Sequence, residues 1–262
     1  MAAAGLTFRL LGQGIAYSAS PAMMSAAFAA LGLPHRYVLA DVTPVDVEAA
    51  VAALREGGAG GANVTTPHKL AVARLMDACS ADAQLVGAVN TVVRDGTRLV
   101  GHNTDLPALV DEIRALRPRG AGRTVLLGGG GAGRAVLVAL ERADATDVTS
   151  VTRGDGSWAR LAEHLARADL VINATPVGTG TDDSPIPIDL LRPELAVLDL
   201  VYRPSPTRLI RDARATGAPA RAGGGMLLGQ GARSLELWLS VAAPTDAMRA
   251  ALRDALGDGV DA

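Results

Sequence analysis

The sequence predicts an α/β protein made of two units. Short strand-like runs alternate with helix-length segments along most of the chain, the pattern of helices packed on a sheet. In the second half the runs Thr124-Val125-Leu126-Leu127, Leu170-Val171-Ile172 and Ala196-Val197-Leu198-Asp199 are almost continuously apolar. Such runs suit parallel strands covered on both faces. The length, 262 residues, admits one large or two modest domains.

The first unit opens with a strand over residues 8–11 and a polar loop over 12–20. Pro21 then starts a helix through Leu31, with Pro at the first helical position and Ser20 as its cap. A strand follows at 37–39, and Thr43-Pro44 introduces a helix over 45–54. A third strand ends in Gly61-Ala62-Asn63-Val64-Thr65, and residues 70–77 and 81–85 are helical. Residues 88–93 and 99–101 form a hairpin around Asp95-Gly96. A connecting helix over 106–116 ends near Pro118 and Gly120. The second unit begins at Arg123, with strands at 124–127, 148–151, 170–172 and 196–199 and helices at 134–141 and 158–166. Gly223-Gly224-Gly225 reads as a hinge, and helices over 226–239 and 245–256 close the chain.

Composition excludes several classes. A net charge of -2 gives no reason to expect nucleic acid or an acidic membrane surface as partner. Residues 10–35 carry no full charge, but Gly12, Gln13, Gly14, the serines and Pro21 argue against a span of about 20 predominantly apolar residues. No basic stretch precedes an apolar one at the N-terminus, so no signal peptide is read. Cys79 is the only cysteine, which leaves no internal disulfide and fits a reducing cytoplasm. His35, His68, His102 and His164 lack metal-ligand spacing, so no metal is expected. Trp158 and Trp238 read as packing residues.

Gly128-Gly129-Gly130-Gly131-Ala132-Gly133 satisfies G-x-G-x-x-G between a strand and a helix, the context in which that pattern binds a dinucleotide. Without Cβ atoms the loop admits a pyrophosphate, and the helix N-terminus offers unpaired N–H groups. After the next strand the chain reads Val151-Thr152-Arg153-Gly154-Asp155. An arginine there favours the 2′-phosphate of NADP, and an acid the ribose hydroxyl of NAD. Arg153 supports NADP; Asp155 leaves NAD as the alternative.

The chain has one lysine, Lys69, against twenty-four arginines. Where generic positive charge is supplied by arginine, a lone lysine suggests a task that needs a proton to be given up. Lys69 ends Asn63-Val64-Thr65-Thr66-Pro67-His68-Lys69, and Asn90-Thr91 and Asn103-Thr104-Asp105 follow. With Ser18 and Ser20, these residues fall at predicted strand ends or in the loops after them, where open parallel sheets bind ligands. Such uncharged hydrogen-bonders suit a polyhydroxylated, carboxylate-bearing small molecule.

These motifs resemble those of the shikimate dehydrogenase family, which includes the shikimate/quinate dehydrogenases. Tyr17-Ser18-Ala19-Ser20-Pro21 resembles its Ser-x-Ser-Pro loop, and the segment from Asn63 to Lys69 its N-V-T-x-P-x-K stretch. Gly87-Ala88-Val89-Asn90-Thr91 and Asn103-Thr104-Asp105 match its next two signatures. Ile172-Asn173-Ala174-Thr175-Pro176-Val177-Gly178, Asp199-Leu200-Val201-Tyr202-Arg203-Pro204 and Gly225-Met226-Leu227-Leu228-Gly229-Gln230 complete the set in family order.

The resemblance implies a discontinuous substrate domain, residues 1–105 and 226–262, and a Rossmann-type NAD(P)-binding domain, 106–225, with the active site in the cleft between them. It implies reversible reduction of 3-dehydroshikimate to shikimate with NADPH, in the pathway to chorismate and the aromatic amino acids. By similarity, Ser18 and Ser20 bind the substrate carboxylate, and Asn63, Thr65, Asn90 and Gln230 hold ring hydroxyls. Tyr202 lies near the site, and Lys69 and Asp105 flank the carbinol that is oxidised. The cofactor falls to Gly128, Gly130, Gly131, Ala132, Gly133, Thr152, Arg153, Asn173, Thr175 and Pro176. The implied partner is the small-molecule substrate alone, on a monomer or homodimer. An NAD-dependent quinate or aminoshikimate dehydrogenase is the alternative, and a ligand sensor without catalysis the second.

Three departures stand out, one being that the cofactor loop lacks the second basic residue often found a few positions after the arginine. Leu106-Pro107-Ala108 replaces a glycine-containing stretch and is expected to narrow the approach to the nicotinamide. Met24 and Ser25 stand where the family commonly has His and Asn.

Overall fold

The computed structural model describes residues 5–257. In chain order the first elements are β1 (Thr7–Gly12), α1 (Ser20–Ala30), β2 (Arg36–Asp41), α2 (Val47–Ala52), β3 (Ala59–Val64) and α3 (Lys69–Ala73). Then come β4 (Ala78–Cys79), α4 (Ala81–Val86), β5 (Thr91–Asp95), β6 (Arg98–His102) and α5 (Asp105–Leu116). Next are β7 (Gly122–Leu127), α6 (Gly131–Arg142), β8 (Ala145–Val151), α7 (Leu161–Arg167), β9 (Leu170–Asn173) and β10 (Ala196–Asp199). The chain ends in α8 (Arg208–Ala215), β11 (Ala220–Arg221), α9 (Gly223–Leu239) and α10 (Thr245–Leu256).

These elements form two compact units. One comprises the described residues up to Asp105 together with Leu228–Ala255; the other comprises Leu106–Leu227 and the described end of the chain from Leu256. The first is built on a mixed sheet ordered β2-β1-β3-β5-β6-β4. Strands β2, β1 and β3 run parallel, and β5 is antiparallel to both β3 and β6. The hairpin β5–β6 turns at Gly96, whose φ of +62° favours glycine. One face of this sheet packs Leu11, Val51, Leu54, Val64, Val72 and Leu99. On the other, Phe8 meets Phe28 and Trp238 with ring centroids 5.2 and 4.6 Å apart.

The second unit carries a parallel sheet ordered β11-β10-β9-β7-β8. Val125, Leu127, Val171 and Val197 pack with Leu161, Leu165, Leu209 and Ile210. The continuous apolar runs are therefore buried interior strands, whereas the edge strand β8 is partly exposed up to its buried last residue, Val151.

Several expectations need correction. Ser20 does not cap α1: the helix begins one residue earlier, Ala19 is the cap residue, and no side chain caps it. The amide of Ser20 instead donates to Ser18 Oγ at 3.2 Å. The helix expected over 70–77 stops at Ala73, because Asp77 turns back to accept the amide of Leu99 and pair with Arg55. Strands β4 and β11 are too short, at two residues each, to leave a periodic signal. Helix α8 was not foreseen; its charge-rich sequence hides a cap, Thr207 Oγ1 accepting from the amide of Ile210. Gly223-Gly224-Gly225 is no hinge loop but the first turn of α9. These glycines serve close packing. A Cβ at Gly223 would fall 2.5 Å from Leu200 O, and one at Gly225 2.5 Å from Glu112 Oε1. No described helix is long and apolar enough to cross a membrane.

Candidate active site

The sheet of the first unit brings the polar motifs to one end. The register pairs Leu10 with Asn63, Asn63 with Thr91, and Thr91 with His102. The loop carrying Ser18 and Ser20 leaves β1 at that end, Thr65 and Lys69 leave β3 there, Asn90 enters β5 there, and Asp105 follows β6. Topology thus collects residues separated by more than eighty positions.

Lys69 opens α3 and Asp105 opens α5. Lys69 Nζ donates to Asp105 Oδ2 at 2.7 Å, with side-chain exposures of 16% and 7%. Asn90 Nδ2 donates to Asp105 Oδ1 at 2.8 Å, and Asn90 Oδ1 accepts the amide of Thr104 at 2.7 Å. Both carboxylate oxygens are therefore occupied, and the orientation of the ammonium is relayed from the backbone through Asn90. The preceding residue is fixed as well: His68 is buried, and its Nε2 lies 2.7 Å from Val42 O. His68 is thus a packing residue, not a ligand contact.

Beneath this pair lies a buried network the sequence reading missed. Asn63 Nδ2 lies within hydrogen-bond distance of Asn90 O, Thr91 Oγ1 and Ser234 Oγ, and Tyr37 OH donates to Asn63 Oδ1 at 2.8 Å. Ser234 Oγ also contacts Thr91 Oγ1, Thr104 Oγ1 and Gln230 O. Both amide hydrogens of Asn63 are spent internally, so its expected role in holding a ring hydroxyl is reduced to that of scaffold. Ser234 sits four residues after Gln230 on α9 with no exposed surface. A hydroxyl on a buried helical face at that spacing was the available signal. Thr65, Ser18 and Gln230 keep partial exposure, and Ser20 is nearly buried.

Three of the departing residues are core positions, whereas Ser25 is exposed and Pro107 partly so. Leu106, Ala108 and Met24 are 0%, 2% and 0% exposed, so they present no surface to an approaching ligand. Met24 packs toward Gly231, where a Cβ would lie 3.4 Å from its Cε.

In the second unit the parallel register sets the C-terminal ends of β7, β8, β9 and β10 side by side. Gly128, Thr152-Arg153, Thr175 and Tyr202 follow them. The glycine loop fits a dinucleotide phosphate. Gly128 has φ +102° and approaches Ala174 O, and a Cβ at Gly133 would fall 2.8 Å from Gly128 O. At Gly130 and Gly131 a Cβ would meet nothing within 4 Å. The first and third glycines build the turn, and those between leave its outer side open in front of the α6 amides. Arg153 is exposed and Thr152 partly so. Asp155 is exposed, its Oδ1 accepting from the hydroxyl of Ser157 and from its amide at 2.9 Å, and these bonds hold its carboxyl below the usual range. Tyr202 is half-buried, Ala132 and Thr175 keep partial exposure, and Pro176 is exposed.

Asn173 departs from its expected role. It is fully buried; its Nδ2 donates to Asp199 Oδ1 and Val177 O, and its Oδ1 accepts from the amide and hydroxyl of Thr175. Asn173 shapes the turn that carries Thr175 and Pro176 and presents nothing to a ligand. Asp199, which also accepts from Thr207 Oγ1 and the amide of Val201, is pushed up to about 6 by burial. The unfolded carboxyl titrates near 3.8. Between these values the native protein holds a proton that the unfolded chain has lost, so stability falls as pH rises through that window. The difference corresponds to about 3 kcal/mol. Asp199→Asn should lack this decline, measured as urea midpoints from pH 4 to 7. Parallel profiles for the two proteins would refute the assignment.

Among the described residues no cluster of three or more His, Cys, Asp or Glu side chains is placed to hold a metal ion.

Comparison with known proteins agrees with this geometry. Residues 10–92 match the shikimate dehydrogenase substrate binding domain, and residues 223–253 match the shikimate 5′-dehydrogenase C-terminal domain. A shikimate dehydrogenase (NADP(+)) of Symbiobacterium thermophilum is 40% identical over 279 residues, covering 96% of this chain and 95% of its own. The shikimate 5-dehydrogenase of Thermus thermophilus, solved in complex with NADP(H) and shikimate, superposes with a TM-score of 0.86. It is 37% identical, and the match covers 96% of this chain and 100% of that one. The quinate dehydrogenase of Corynebacterium glutamicum in complex with NAD superposes at 0.84, with 28% identity over 95% of this chain and 99% of its own. The protein is of the class of NAD(P)-dependent oxidoreductases that act on a CH–OH group. Within that class the chain belongs to the shikimate dehydrogenase family.

Proposed function

We propose that the chain catalyses the reversible reduction of 3-dehydroshikimate to shikimate with NADPH. The observation that carries this reading is the Lys69–Asp105–Asn90 chain, a single lysine held at 2.7 Å by a carboxylate whose other oxygen is fixed.

NADPH supplies the hydride when bound, and Gly128, Gly130, Gly131, Ala132 and Gly133 would hold its pyrophosphate, with Arg153 at the 2′-phosphate. The protein's part is positioning and proton transfer. Reduction of the carbonyl turns its oxygen into an alkoxide, which needs a donor and then a proton. Lys69 Nζ supplies both and recovers its proton from solvent; in the oxidation direction the proton returns to it. Asp105 orients the ammonium and accepts from a neighbouring substrate hydroxyl. Ser18 and Ser20 would take the substrate carboxylate and Thr65 and Gln230 the ring hydroxyls, while Asn90 holds Asp105 in place. A cytoplasmic location belongs to the same reading and rests on the lone free thiol of Cys79.

The test is initial rates of shikimate oxidation by the purified protein with NADP and with NAD, alongside quinate. Fast turnover of shikimate with NADP is expected. Preferential turnover of quinate with NAD would move the chain to the quinate branch. Saturable binding without turnover of either acid would leave a ligand sensor on this scaffold.

A further inference from the structure

The cofactor loop after β8 contains a contact that sequence patterns do not predict. Arg153 Cζ lies 5.1 Å from the centre of the Trp158 ring, within cation–π range. Trp158 is partly buried and packs on the core of its unit, the cluster that holds Val151, Leu161 and Leu165. One side of the indole is thus anchored in the fold while the guanidinium lies over it.

The loop between them is tied shut. The amide of Thr152 donates to Ser157 Oγ at 2.8 Å, and Asp155 Oδ1 accepts the Ser157 amide at 2.9 Å and its hydroxyl. One oxygen of the loop's single carboxylate, Oδ1, is held by Ser157, while the Arg153 guanidinium lies over the indole. This arrangement has a chemical consequence. Stacking uses the flat face of a guanidinium and leaves its N–H edges free, whereas an ion pair would consume them. A side chain otherwise free to sample many rotamers is held in place before ligand arrives, which lowers the ordering cost of binding.

We propose that Trp158 is a specificity-determining residue for the cofactor, a rigid platform that presents Arg153 to the 2′-phosphate of NADP. With it, one arginine performs the discrimination. The inference rests on the NADP reading above and deepens it.

The test compares binding of adenosine 2′,5′-bisphosphate and adenosine 5′-monophosphate by calorimetry, in the wild type and in Trp158→Leu and Trp158→Phe. Leucine fills the core position but has no π face; phenylalanine keeps one. The wild type should prefer the 2′-phosphorylated ligand. Trp158→Leu should lose about three- to tenfold of that preference, in line with one stacked cation, with affinity for the monophosphate unchanged. Trp158→Phe should recover most of it. Indole fluorescence gives a second reading: the bisphosphate should alter the emission of the wild type but not that of Trp158→Phe, which retains only Trp238. Undiminished preference in a folded Trp158→Leu would overturn the platform and leave Trp158 a packing residue. A wild type that binds both ligands equally would instead overturn the NADP reading, and the platform with it.

Discussion

Lys69→Met is expected to bind NADP as the wild type does and to lose turnover by about 10²–10⁴-fold, the usual worth of general acid–base help. Methionine keeps the length and apolar stem of the side chain and removes only the ammonium. The dinucleotide loop at Gly128–Gly133 belongs to the other compact unit, so calorimetric NADP affinity serves as an internal control for the fold. Asp105 will feel the loss of its cation, since its side chain is only 7% exposed, but Asn90 still holds Oδ1 at 2.8 Å. Lys69→Arg separates charge from proton transfer. Its guanidinium can pair with Asp105 yet stays protonated at any working pH, so it too should fail. Full activity in the arginine variant would mean that the site needs charge alone. Activity within twofold of wild type in Lys69→Met would remove Lys69 from the mechanism. Because the chain contains no other lysine, an amine-directed reagent has only this side chain and the N-terminal amine to modify. Protection by shikimate would place the substrate beside it.

How much of this was legible in the sequence depends on the range of the interaction. The strand–glycine–helix pattern at residues 122–142 is a local signal, and β7, the turn and α6 follow it closely. Lys69 and Asp105 could be chosen for their chemistry because a lone lysine and a carboxylate after a strand are visible one at a time. The hydrogen bonds that give them meaning were not visible. Asn90 to Asp105 spans fifteen residues, and Asn63 to Ser234 spans 171. Residue type also misled where burial decided the role. Asn63 and Asn173 carry the right groups for ligand binding, but both are buried and their amides are satisfied inside the protein. Leu106 and Met24 looked like changes to the site and are instead core positions. The glycines of 223–225 looked flexible, but two of them allow a carbonyl and a carboxylate to approach α9 closely. Such a distinction depends on what a Cβ would strike, which only the fold reveals.

That same criterion yields the second large effect. Gly130→Val should leave the thermal midpoint unchanged and weaken NADP binding at least about tenfold, some 1.4 kcal/mol. Gly130 has φ -74° and ψ -166°, an extended conformation that any residue adopts, and a Cβ there meets nothing within 4 Å. A branched side chain at that point adds no strain to the protein and stands where a pyrophosphate must approach the α6 amides. Gly133→Ala is the contrasting variant. Its Cβ would lie 2.8 Å from Gly128 O, so it should lower the midpoint as well as the affinity. The pair distinguishes the two reasons a glycine loop exists, the tightness of the turn and the access of the ligand. Undiminished NADP affinity in Gly130→Val would show that the open side of the loop faces no phosphate, and the glycines would then serve the turn alone. A drop in both quantities for Gly133→Ala, with a drop in affinity only for Gly130→Val, would assign Gly133 to the fold and Gly130 to the cofactor.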